Sequence, residues 1–187
     1  LPWRVKGGAH PDPYVILVSE LMLQQTTVKT VIPYFHRFMK RFPTVKDLAE
    51  ATQEEVYFYW QGLGYYTRAR SLHATARLVM EKFNGRFPEK REDVLKLKGI
   101  GPYTVASFLA LAFNQPETVV DGNVIRVISR LFRLTEPVSE ILPQIREKAA
   151  GLTDRTRPAD YASAIMDLGA MICTPKNPQC LLCPWQE

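Results

Sequence analysis

The chain holds no cysteine before residue 173, only three histidines, and no methionine at its start. The first absence excludes a disulfide framework spread through the fold. The histidines, His10, His36 and His73, all lie far upstream of the thiols, so no imidazole stands beside them in sequence. No apolar run approaches the roughly 18 residues that a membrane span needs, so no membrane partner is expected. Leu1-Pro2-Trp3-Arg4 has none of the character of a signal peptide, and the chain reads as trimmed at its start and open to trimming at its end. Period-2 strands and internal repeats are also missing, which leaves helices as the building material.

What is present is ordinary in bulk. With 187 residues, 46% hydrophobic and 23% charged, the chain suits one large or two small globular domains with a real core. A net charge of +5 and a pI near 9.2 bias it mildly toward polyanions.

The pattern is all-α. Asp12 caps a helix that Pro13 begins and that stays apolar to Leu23. A second helix, from about Thr27 to Phe42, turns Val31, Tyr34, Phe35 and Phe38 inward. Thr52-Gln53-Glu54-Glu55 reads as a capping box. After the break at Gly62 and Gly64, Tyr66 to Phe83 reads as a long helix with Arg68, Arg70 and Arg77 on its wet side. Helices are further expected from Pro102 and over 123–134, 139–151 and 158–172.

The richest stretch runs from Leu97 to Arg126. Gly99-Ile100-Gly101-Pro102 is a turn whose glycines let the backbone approach a ligand closely before a helix N-terminus, a place to hold a phosphate. Asp121-Gly122-Asn123 follows the apolar Val119-Val120. A carboxylate on an apolar flank suits chemistry, although Asp-Gly is also turn chemistry and Asp121 could cap the helix from Asn123. Glu20 stands in a helix that is apolar nearly all round, where burial raises a carboxyl pKa and yields a proton donor; a salt bridge to an arginine is the plainer alternative. A protonated Glu beside an ionised Asp is the pair that cleaves glycosidic bonds. The tail, Cys173-x6-Cys180-x2-Cys183, suits a metal or cluster better than surface thiols, and its spacing does not choose between zinc and iron.

The hairpin KGIGPYT followed by VVDGN resembles the helix–hairpin–helix DNA glycosylases. Leu1-Pro2-Trp3-Arg4, SELMLQQT over 19–26, GLGYY over 62–66 and MDLGA over 166–170 are similar to the adenine DNA glycosylases of the MutY kind. The resemblance covers essentially the whole chain. It implies a two-lobed fold, one lobe over 25–132 and the other joining 1–24 to 133–187 with the cluster cysteines. It implies a [4Fe–4S] cluster on Cys173, Cys180 and Cys183, with the fourth cysteine just beyond Glu187. Glu20 matches the general acid that protonates adenine at N7, and Asp121, within the motif that includes Asn123, the carboxylate that stabilises the oxocarbenium sugar. Tyr103 stands where bifunctional relatives carry a Schiff-base lysine, so strong strand cleavage is not expected.

The same resemblance places Gln24, Gln25, Thr26, Leu63, Tyr65, Gly99, Gly101 and Thr104 on the DNA. Among them Gln25, Thr26, Leu63 and Tyr65 wedge into the duplex and read the opposite base, while core packing is the alternative for Tyr65 and Tyr66. Trp3 and Arg4 match the wall of the base pocket. Ser163 departs from the family's Gln or Glu, which puts that part of base recognition on another group. The family's C-terminal Nudix-like domain is not represented in these residues. The implied substrate is double-stranded DNA carrying adenine opposite 8-oxoguanine or guanine. The implied protein is a monomer acting in the bacterial cytoplasm at the nucleoid, or in the nucleus or mitochondria of a eukaryote. A thymine mismatch glycosylase and a non-catalytic helix–hairpin–helix module are the competing readings.

Overall fold

A computed structural model describes residues 1–4 and 11–186, and among them the fold is helical without strands. The helices are α1 (Pro13–Leu23), α2 (Val28–Arg41), α3 (Val45–Glu50), α4 (Gln53–Trp60), α5 (Tyr66–Phe83), α6 (Arg91–Val94), α7 (Pro102–Phe113), α8 (Gly122–Leu131), α9 (Val138–Leu152) and α10 (Pro158–Asp167). A π-turn (Leu168–Ile172) and a 3₁₀ turn (Cys180–Leu182) close the chain. Two compact units are present, Leu1–Phe108 and Leu109–Glu187.

In the first unit, α1 is buried on every side, as its composition requires: Tyr14, Ile16, Leu17, Val18, Leu21 and Met22 are all enclosed. Asp12 caps it by accepting from the Tyr14 amide at 2.8 Å. Helix α2 is the amphipathic partner, with Val31, Phe35 and Phe38 buried and Tyr34 only half-buried. Phe38 meets Phe42 and Trp60 at ring separations of 4.9 and 5.9 Å. The reciprocal capping box lies at Thr44 and Asp47, which start the unanticipated short helix α3. At Thr52 only one half of a box is described, its side chain accepting from the Glu55 amide.

One expectation on α5 is overturned. Arg70 and Arg77 are exposed, but Arg68 is buried. Positions 68, 72, 75 and 79 share one face at helical spacing, so Arg68 lies on the same stripe as the buried Leu72, Thr75 and Val79.

The second unit is organised by α8, whose Val124, Val127 and Ile128 pack with Ile141 and Ile145 of α9, Ile165 of α10, and Leu168. The expected last helix, to residue 172, is α10 continued by the π-turn.

Candidate active site

Glu20 is the one charged residue on the buried α1, 8% exposed among apolar neighbours. Its Oε2 accepts a hydrogen bond from the Ser107 hydroxyl of α7 at 2.5 Å. Ser107 is itself fully buried and also lies 3.2 Å from the Thr104 carbonyl. A buried carboxyl group needs such a partner to be tolerated, and the hydroxyl fixes the rotation of the group. Sequence reasoning misses Ser107; its signal is a hydroxyl three residues after Thr104 in the apolar body of α7. Gln24 donates to the Thr104 hydroxyl at 3.3 Å, so the end of α1 is tied to the first turn of α7.

The hairpin before α7 is seated on α5. Gly99 has φ +74°, a left-handed conformation that favours glycine, and a Cβ there would lie 2.6 Å from the Ser71 Cβ. The buried Thr75 hydroxyl accepts from the Lys98 amide at 2.8 Å and lies 3.2 Å from the Lys98 carbonyl. Thr75 too was missed by sequence reasoning. Gly99 and Gly101 are exposed, and nothing lies within 4 Å of a Cβ placed on Gly101; the hairpin therefore leaves an open edge to its outer side. Tyr103, half-buried, occupies the first turn of α7.

In the second unit Asp121 does cap α8: its Oδ1 accepts from the Val124 amide at 2.7 Å. Its Oδ2 accepts from the Asn123 side-chain amide at 3.1 Å. The cap fixes the carboxylate at the N-terminus of α8. Arg126 then spans outward, donating to Asn123 Oδ1 at 2.8 Å and to the Gly169 and Cys173 carbonyls at 2.6 and 2.7 Å. Asp121 is thereby connected through Asn123 and Arg126 to the first cysteine of the tail.

All three cysteines are free thiols, Cys180 exposed, Cys173 and Cys183 half-buried. Arg130 donates to the Cys173 sulfur at 3.3 Å and to the Thr174 carbonyl at 2.8 Å, the kind of outer hydrogen bond that tunes a cluster. The donor set is thiol only and fits an iron–sulfur centre in chemistry. Among the described residues the three sulfurs are not gathered into one ion-sized group. The expected fourth cysteine lies outside the described residues.

The remaining positions divide by exposure. Gln25 (φ +56°) and Tyr65 (φ +47°) are both exposed and both in left-handed backbone. Tyr65 is 59% and Tyr66 42% exposed, which rules out core packing for these rings. Leu63 is buried and Thr26 half-buried. Trp3 is buried, edge-on to Phe35 at 5.2 Å; Arg4 is half-buried. Ser163 is half-buried on α10.

Residues 18–150 match the family model of the HhH-GPD superfamily base excision DNA repair protein. Residues 173–187 match the iron-sulfur binding domain of endonuclease III. The chain is 45% identical to the adenine DNA glycosylase of Rattus norvegicus, over 100% of this chain and 38% of that protein. It is 39% identical to the adenine DNA glycosylase of Buchnera aphidicola subsp. Baizongia pistaciae, over 98% of this chain and 51% of that one. It thus spans about half or less of the curated relatives' length. Among solved structures, that of a thermostable thymine-DNA glycosylase is similar with a TM-score of 0.85 and 31% identity, covering 99% of this chain and 84% of the other.

Proposed function

Because this chain belongs to the HhH-GPD superfamily of base excision DNA repair proteins, we propose that it is the catalytic region of a monofunctional glycosylase that hydrolyses adenine from DNA where it faces 8-oxoguanine or guanine. The observation that carries this reading is Glu20, a carboxyl group buried in an apolar helix and oriented by Ser107. A module that only grips DNA has no use for such a group. Glu20 gives its proton to adenine N7 as the bond from N9 to C1′ breaks, and the bonding electrons leave with the base. The positive charge left on the sugar faces the Asp121 carboxylate, which the α8 cap holds in place. Water adds its oxygen to C1′ and releases a proton, so the sum is hydrolysis.

Tyr103 carries no amine to offer C1′, so base release proceeds without an imine. The exposed Gly99 and Gly101 of the hairpin lie against the phosphate backbone, with Thr104 and Gln24 behind them. Gln25 and Tyr65 enter the duplex and face the opposite base, with Thr26 and Leu63 supporting them. Trp3, Arg4 and Ser163 border the extruded adenine. The chain carries an iron–sulfur binding segment; Cys173, Cys180 and Cys183 would hold a [4Fe–4S] cluster with a fourth ligand, and a bound cluster supplies a redox-capable anchor for the loop that Arg126 and Arg130 grip.

Thymine release is the second reading, favoured by the similar thymine-DNA glycosylase structure and by the short side chain of Ser163. Base-release assays on A:8-oxoguanine, A:G and T:G duplexes decide between them. Release of adenine from the first two and none of thymine is expected; release of thymine alone would replace the assignment, and release of neither would leave a binding module.

A further inference from the structure

Arg68 is buried at 7% exposure, yet no carboxylate is among its described partners. Its guanidinium instead collects backbone oxygens from two separate segments. From the end of α1 and the turn after it come the carbonyls of Leu21 at 3.2 Å, Met22 at 2.8 Å and Gln24, together with the Thr26 hydroxyl at 3.1 Å. From the loop before α5 come the carbonyls of Leu63 and Gly64, each at 3.3 Å. The last carbonyls of a helix have no partner within it and favour a cation, which is the role Arg68 fills for α1. Its charged plane also lies 5.6 Å from the Trp60 ring centre and 5.2 Å from that of Tyr65.

Each of the two segments carries one exposed residue in left-handed backbone, Gln25 in the first and Tyr65 in the second. Such conformations are costly for residues other than glycine and persist only where the surroundings determine them. Arg68 is bonded to both surroundings at once. A lysine has one ammonium in place of a planar fork and cannot reach both sets of oxygens in the same geometry.

We propose that Arg68 is a positioning residue that locks the α1–α2 turn to the Gly62–Tyr65 loop, so that Gln25 and Tyr65 enter the duplex as a single preset two-pronged wedge. This rests on the reading of the protein as a base-extruding glycosylase. The wedge matters while the stack opposite the target is intact, and much less where that stack is already broken.

The test compares Arg68→Lys, and Arg68→Met as a variant that keeps the aliphatic stem, with the parent on two duplexes: adenine opposite 8-oxoguanine, and adenine opposite an abasic analogue. Single-turnover base release on the first is expected to fall about 10- to 100-fold, the scale of an ångström-sized misplacement. On the second it stays within about threefold of the parent, and in a Gln25→Ala/Tyr65→Ala background Arg68→Lys adds no more than about threefold. Hydrogen exchange of the free variant quickens in both segments, 24–27 and 62–65, together. Equal losses on the two duplexes, an undiminished loss in the double-alanine background, or faster exchange in only one segment would overturn the proposal. A parent that releases no adenine from either duplex overturns the glycosylase reading instead.

Discussion

Gly169→Ala tests whether Asp121 depends on packing behind it. A Cβ on Gly169 would lie 2.6 Å from the Asn123 Cβ and 3.0 Å from the Asn123 carbonyl oxygen. Carbon atoms pack at about 3.5–4.0 Å, so the contact must open by about 1 Å. Asn123 sits in the first turn of α8 and cannot rotate its backbone away. Overpacking of this kind costs about 1–3 kcal/mol, offset by the roughly 0.4–1 kcal/mol that Gly→Ala returns through the unfolded chain. A net loss of about 0.5–2 kcal/mol corresponds to a Tm lower by about 1–8 °C. The effect on catalysis is larger, because the displaced residue is the one whose amide holds Asp121 Oδ2. A misplacement of about 1 Å lowers a rate about 100-fold. Gly151→Ala is the control: nothing lies within 4 Å of its Cβ, it is exposed in α9, and it should stabilise by about 0.4–1 kcal/mol with the rate unchanged. Single-turnover base release and urea melts on both variants give the comparison. A Gly169→Ala enzyme that keeps its rate within about threefold, or gains stability like the control, would refute the coupling of Gly169 to Asp121 through Asn123.

Glu20→Gln is expected to bind the mismatched duplex normally and release no base, as its amide cannot supply the proton; Asp121→Asn keeps an oxygen for the α8 cap but loses the charge, and falls by at least about 100-fold in the same assay. Borohydride should trap little of the parent on DNA, and Tyr103→Lys should trap far more; efficient trapping of the parent would mean that another lysine attacks C1′. Burial, aided by Arg77, lowers the His73 pKa below its ordinary 6.5. The unfolded chain therefore takes up a proton as pH falls through about 6.5 that the folded His73 resists, so stability is full above that pH and declines below it. Urea melts at pH 7 and 5 should show a smaller acid loss in His73→Gln, and an equal loss would refute the assignment.

Local signals carried most of the fold. Asp12 with Pro13 set the start of α1, and Tyr66–Phe83 appears with the bounds its pattern predicts, because a glycine break precedes it and Asn84 ends it in left-handed backbone. The short α3 was overlooked although Thr44 and Asp47 spell its box, since six residues give too little periodicity to stand out. The burial of Glu20 and the capping position of Asp121 are legible because a carboxylate in an apolar run, and Asp-Gly before a helix, are conspicuous. Arg68, Thr75 and Ser107 are not, because each is identified by what it reaches across the fold. Arg68 is the plainest case: its charge points to the wet side, while its register with Leu72 and Val79 places it inside.

The seating of the hairpin on α5 makes that helix a ruler. Its N-terminal end carries Tyr65 and Arg68, and one to two turns further on Ser71 and Thr75 receive Gly99 and Lys98. An α-helix advances about 1.5 Å and turns about 100° per residue. Adding or removing a single residue between 68 and 71 would therefore swing Tyr65 and Arg68 about a quarter turn away from the hairpin while leaving each piece locally intact. This helix can drift in composition on its outer face, but its length between those marks is not free to change, and neither end can be transplanted to another scaffold without carrying the interval with it.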